Sequence, residues 1–183
     1  MGTLSATTHE FHREIIDHDD SCLYTSMRYV NGTLNAMVNK RLRSMVADYI
    51  RKNTNLHSAV LERGTTCKTI ADYCNQIEKG KLRGGEPEVR ALATLCRILI
   101  RLVTMTKTVQ GNVNITISNY GEHEESFKEC VYILYDEENQ HYDPLYVINK
   151  ENPDEKLTIF GRNDQAVLNL LCKFIREEFH GER

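Results

Sequence analysis

Along this chain the spacing of apolar residues changes character once, after Cys96, from the three-to-four-residue repeat of helices to the alternation of strands. Cys22 to about Tyr29 reads as a helix that stops near Asn31-Gly32. Residues 34 to 52 align Val38, Leu42, Met45, Val46, Tyr49 and Ile50 on one stripe, and residues 68 to 79 do the same with Ile70, Tyr73, Cys74 and Ile77. A further helix begins around Pro87, an apt first-turn residue, and carries Val89, Leu92, Ala93 and Cys96. Beyond it, Ile98–Thr108, Val113–Ser118, Val131–Tyr135 and Tyr142–Ile148 are rich in β-branched and aromatic residues and read as strands. Leu157–Phe160 is a shorter candidate strand, and Asn163-Asp164 offers a cap for a final helix through about Phe179. Helices, then strands, then a closing helix predict an α+β fold around one central sheet packed between helices.

The 183 residues suffice for one domain: residues 1–14 lack periodicity and read as a loose lead-in, and 15–183 as a single folded unit. Acids and bases are mixed along the chain, with a formal charge of −3, so no basic stripe for nucleic acid is expected. The short run Lys40-Arg41-Leu42-Arg43 falls within a helical pattern and reads as a solvated face. No apolar run approaches the ~18 residues of a membrane span. No secretory hydrophobic region is apparent, and Ala6 breaks the myristoylation pattern after Gly2. The expected address is cytosolic, with the nucleus or a host cytosol as alternatives. The six cysteines have no C-x-x-C spacing, and His9, His12 and His18 have no cysteine pair beside them, so neither a disulfide scaffold nor a metal site is expected.

Chemistry enters at two distant places. Cys22 follows Asp19-Asp20-Ser21 and opens a helix, where unpaired backbone N–H groups and the macrodipole favour a thiolate and can bind an oxyanion. His141 and Asp143 open a strand after the polar turn 136–140, and alternation points both to one face, so the carboxylate can orient the imidazole. Each piece alone also has a plain structural reading: a buried inert cysteine, and a hairpin histidine beside a solvated acid. Together they form a Cys–His–Asp set suited to acyl transfer through a thioester. The other five cysteines fit apolar faces and are expected in the core.

The chain here resembles the ovarian-tumour (OTU) cysteine proteases. Asp19-Asp20-Ser21-Cys22-Leu23-Tyr24 is similar to their D-x-x-C-[LF]-[FY] box, and His141-Tyr142-Asp143 to their H-Y-[DN] box. Between these, Arg83-Gly84-Gly85-Glu86-Pro87-Glu88 resembles their W-G-G-x-x-E segment. Tyr73-Cys74-x-x-Ile77 and Leu157-Thr158-Ile159-Phe160-x-x-Asn163-Asp164 are similar to the YOD/Otu branch, which works with valosin-containing protein. The resemblance implies a papain-like core with a mostly antiparallel sheet, and a monomer that needs neither cofactor nor metal. It implies a deubiquitinase that cleaves isopeptide bonds after the ubiquitin C-terminus, in single or polyubiquitin form. Cys22 would be the nucleophile, His141 the base, Asp143 the orienting acid and Asp19 a member of the oxyanion loop. Arg83, Gly84, Gly85, Glu86 and Tyr142 would line the channel for the ubiquitin tail. Arg83 departs from the family's Trp, exchanging an aromatic wall for a charge. The ubiquitin-like domain and zinc finger carried by that branch are not expected in these residues, which leaves contact with valosin-containing protein to absent flanking domains. Two other functions fit the same residues: a ubiquitin-binding module without turnover, and a thiol protease for another ubiquitin-like modifier.

Overall fold

The computed structural model describes residues 3–181. Its strands are β1 (His9–Arg13), β2 (Leu99–Lys107), β3 (Val113–Tyr120), β4 (Glu129–Asp136), β5 (His141–Asn149), β6 (Asn152–Leu157) and β7 (Phe160–Gly161). Its helices are α1 (Cys22–Val30), α2 (Asn39–Lys52), α3 (His57–Glu62), α4 (Ile70–Glu78), α5 (Glu86–Cys96) and α6 (Gln165–Phe179). The sheet runs β1-β5-β4-β2-β3, with β6 on β5 and β7 on β4. Among the described residues only the β2–β4 pair is parallel, so the sheet is mixed but mostly antiparallel, as expected.

Strand alternation divides the core between the two faces. Along β4, Val131 and Ile133 join Leu23, Met27, Leu42, Ile50, Tyr73 and Leu92 from the helices that precede β2. Cys130, Tyr132 and Leu134 turn the other way to meet Val167, Leu171 and Phe174 of α6. Asp164 caps α6 as expected, its side chain accepting from the N–H groups of Ala166 and Val167. No helix among the described residues is long and apolar enough to cross a membrane.

Several expectations change. Residues 9–13, read as part of a loose lead-in, form β1 and pair with β5 from His9↔Asn149 to Arg13↔Leu145. Phe11 anchors this strand against Tyr132, Phe160 and Phe174. The predicted strand over 157–160 is a changeover: β6 ends on β5 at Leu157, and Phe160 begins a separate pairing with β4. Val38 lies outside the helical stripe as the exposed N-cap of α2. Arg43 is 3% exposed rather than solvated. Of the five cysteines expected in the core, Cys74 and Cys130 are buried, Cys67 and Cys96 are half-buried, and Cys172 is exposed on α6.

Candidate active site

The start of α1 packs against the start of β5, where Ser26 Oγ donates to the Tyr142 carbonyl over 3.2 Å. This contact brings Cys22 beside the chain at His141-Tyr142, and the Tyr142 backbone N–H reaches the Cys22 sulfur. Burial pushes the thiol above its ordinary range, opposed first by that N–H and then by the Arg83 guanidinium. Desolvation outweighs the donors present and so works against the thiolate expected from the helix terminus. Cys22 needs a base. No side chain caps α1, so N–H groups of its first turn remain for an oxyanion.

His141 and Asp143 share a face, as their spacing predicts, and both side chains are fully buried. His141 Nε2 lies 2.7 Å from Asp143 Oδ1. A carboxylate only accepts, so Nε2 carries the proton and Nδ1 keeps a lone pair. Among the described residues Nδ1 is buried with no hydrogen-bond partner, which leaves it the nitrogen free to take a proton. Asp143 Oδ1 also accepts from the Ile16 N–H at 3.0 Å, while Oδ2 accepts from Nε and Nη2 of Arg13, both at 2.6 Å. The charge opposite Asp143 thus comes from β1, outside the residues expected to matter.

The turn before Cys22 is held from both ends. Asp19 is exposed, and its Oδ1 accepts from the Ser21 N–H at 2.8 Å, which shapes the turn. Arg43 donates to the Asp20 carbonyl at 2.5 Å, to Ser21 Oγ at 2.8 Å and to the Ile77 and Leu82 carbonyls. Its burial follows from these acceptors, and the spacing of Arg43, Ala47 and Ile50 on one face of α2 is the signal that could have revealed it. Arg83 reaches Asp20 Oδ1 at 3.2 Å and the carbonyls of Asn139 and Gln140 at 3.1 and 3.3 Å. It therefore ties the turn before the thiol to the hairpin before His141, where Gln140 has a φ of 49°.

Gly84 and Gly85 form the adjacent loop. A Cβ on Gly84 would fall 2.4 Å from Leu23 Cδ2 and 2.8 Å from Leu23 Cβ, so this close approach to α1 requires glycine. The Tyr142 hydroxyl donates to the Gly84 carbonyl at 3.3 Å, which places Tyr142 beneath the loop as a buried support. Gly84, Gly85, Glu86, Tyr135, Gln140 and Tyr142 line one cleft. Glu86 is otherwise engaged with Arg90 at 2.6 Å. Neither this cleft nor a roomier concavity between β1 and α6 is lined by Cys22 or His141, and of the two only the glycine-loop cleft borders them, through Tyr142 and Gln140.

Glu88 fixes the glycine loop from below. It accepts from the Gly85 N–H at 2.7 Å and from the Tyr73 hydroxyl, and pairs with Arg63 at 3.4 Å. Burial pushes its carboxyl up, opposed by Arg63, the Tyr73 hydroxyl and the Gly85 N–H. Glu88→Ala would strand these donors in the interior, and we expect it to cost about 3–5 kcal/mol. The melting temperature should fall by on the order of 10 °C; an unchanged melting curve would contradict this account of the loop.

The chain matches the family model for OTU-like cysteine proteases over residues 17–142. It is 32% identical over 159 residues to human ubiquitin thioesterase OTU1, an alignment that covers 85% of this chain and 41% of the relative. The ubiquitin thioesterase OTU1 of Dictyostelium discoideum is 28% identical, with coverages of 91% and 48%. The chain thus spans less than half the length of these curated relatives. Its fold is similar to a solved ovarian-tumour domain in complex with ubiquitin, with a TM-score of 0.67, 22% identity and coverages of 97% and 94%. It is also similar to an OTU deubiquitinase of Wolbachia pipientis bound to ubiquitin, with a TM-score of 0.57, 18% identity and coverages of 78% and 98%.

Proposed function

The chain belongs to the OTU-like cysteine protease family, and from that premise we propose that it is a deubiquitinase that hydrolyses isopeptide bonds after the ubiquitin C-terminus. The observation that carries the reading is His141, with Nε2 committed to Asp143 and Nδ1 buried and unpartnered, on the strand that meets Cys22.

His141 Nδ1 takes the thiol proton as the Cys22 sulfur attacks the carbonyl carbon. The oxyanion is met by N–H groups in the first turn of α1, which no side chain caps, while Asp19 shapes the turn before it. His141, now an imidazolium steadied by Asp143, returns the proton to the departing lysine amine and leaves a thioester on Cys22. Water then attacks the thioester, His141 takes a proton from it, and the thiol is regenerated.

The substrate reading is supported by the names of the curated relatives and by the glycine-walled cleft, which suits a slender tail ending in two glycines. The same reading carries wider expectations: a monomer of the cytosol or nucleus, working with valosin-containing protein through segments outside this fold. The test is reaction with a ubiquitin probe bearing a C-terminal thiol-reactive warhead. One adduct of the combined mass, lost in Cys22→Ala, is expected. An unreactive protein that labels with a probe built on another modifier would move the substrate to that modifier. Silence towards all such probes would leave a binding module.

A further inference from the structure

The segment 14–21, between β1 and α1, touches each member of the candidate triad in turn. The Ile16 N–H donates to Asp143 Oδ1 at 3.0 Å. The His18 ring lies on the His141 ring, with centroids 3.6 Å apart and planes 4° from parallel. The Asp19 carbonyl accepts from the Cys22 N–H at 3.4 Å. The middle contact stands apart from the other two, because among the described residues neither nitrogen of His18 makes a hydrogen bond and the ring stack is the interaction it has. An exposed imidazole is thus laid flat on a wholly buried one.

We propose that His18 is a positioning residue for His141, a cover that fixes the plane of the basic imidazole and keeps water off its face. The proposal rests on the reading of Cys22 and His141 as nucleophile and base.

One hydrogen bond from Nε2 to Asp143 fixes an edge of the His141 ring but leaves the ring able to rotate about that bond. Such a rotation would swing Nδ1 out of line with the sulfur. A parallel ring at van der Waals distance blocks it, since any tilt of His141 would drive its edge into His18. The loop itself is anchored on both sides of His18, by Ile16 on the acid and Asp19 on the nucleophile turn, so the cover is held by the groups it serves. The stack needs a flat ring and makes no use of the imidazole nitrogens, so a benzene ring should replace it.

The test compares wild type, His18→Ala and His18→Phe on a fluorogenic ubiquitin C-terminal amide. Alkylation of Cys22 by iodoacetamide, followed by mass mapping of the Cys22 peptide to separate it from the other five cysteines, is measured in parallel. We expect His18→Ala to lower kcat about tenfold with KM nearly unchanged, the pattern of a misaligned base rather than lost binding. His18→Phe should restore kcat to within about twofold of wild type, because it keeps the planar cover. His18 is exposed, so both variants should melt with the wild type. An active wild type whose kcat is unaltered by His18→Ala overturns the proposal, as does a loss in kcat that His18→Phe does not restore. Alkylation separates this failure from failure of the substrate reading. A wild type inert towards ubiquitin, but whose Cys22 alkylation falls in His18→Ala and recovers in His18→Phe, would support the role of His18 and refute the choice of modifier. Alkylation indifferent to both substitutions in an inert protein would overturn the role of His18 as well.

Discussion

Replacement of Cys22 by Ala is expected to abolish cleavage of ubiquitin isopeptide bonds, by at least about 10⁴-fold, while leaving ubiquitin binding intact. The thiol is the only group in the site placed to form the acyl intermediate, and an oxyanion site without a nucleophile retains binding but little turnover. The residue is 1% exposed, and its loss removes a single sulfur, so the fold should persist. Gel-based cleavage of a di-ubiquitin, with calorimetric titration of ubiquitin into the same variant, reads both halves of the expectation. Cleavage at the wild-type rate would remove Cys22 from the mechanism. His141→Ala should cost nearly as much, and combining the two should cost little more than either alone, because they act as one unit.

The second large effect is expected from Asp143→Asn, and the hydrogen bonds explain its size. All four groups aimed at the Asp143 carboxylate are donors: Arg13 twice on Oδ2, and the Ile16 N–H and His141 Nε2 on Oδ1. An amide has one oxygen to offer. Arg13 would claim it, turning the NH₂ towards His141 and forcing Nε2 to become the acceptor. The proton would then sit on Nδ1, the nitrogen that must receive it from Cys22. Loss of kcat on the order of 10³–10⁴-fold is expected, the scale of the same tautomer inversion in serine proteases. Adding Arg13→Gln should recover part of that loss, since a glutamine can present its own oxygen to the amide and let Asn turn back. Equal activity of the single and double variants would show that Arg13 does not set the orientation. Support of His141 by Asp19, which could have softened the effect of Asp143→Asn, is not what the geometry offers, because among the described residues no hydrogen bond joins Asp19 to His141 and Asp19 Oδ1 serves the Ser21 N–H.

What was legible in the sequence was local. Helices α1, α4, α5 and α6 and strands β2 to β5 follow from periodicity and caps within a few residues, and so does the pairing of His141 with Asp143 by strand alternation. The papain-like architecture and the three sequence boxes came with the resemblance, which the family match bears out. The residues that escaped notice act across the chain. Arg13, Arg43 and Arg63 are long cations whose acceptors lie far off in sequence, and nothing beside them marks them as different from surface arginines. His18 differs from any loop histidine only in what stacks on it. Short elements were equally opaque: α3 is six residues long, and β1 is five residues whose single partner strand is β5. Arg83, read as the loss of an aromatic wall, proved to be a bridge between two loops, which composition could not foretell.

The position of β1 has a bearing on how this protein comes to exist. Arg13 and Asp143 are 130 residues apart, and β1 cannot pair until β5 has been made. During synthesis at about 5–20 residues per second, Cys22 would leave the ribosome many seconds before the histidine that activates it. The nascent chain therefore carries a nucleophile without a base, then a base whose acid is not yet paired with Arg13. The contact that completes the site joins β1 to β5, so reactivity arrives as folding closes, and a partly made chain holds a thiol without the base arranged to use it.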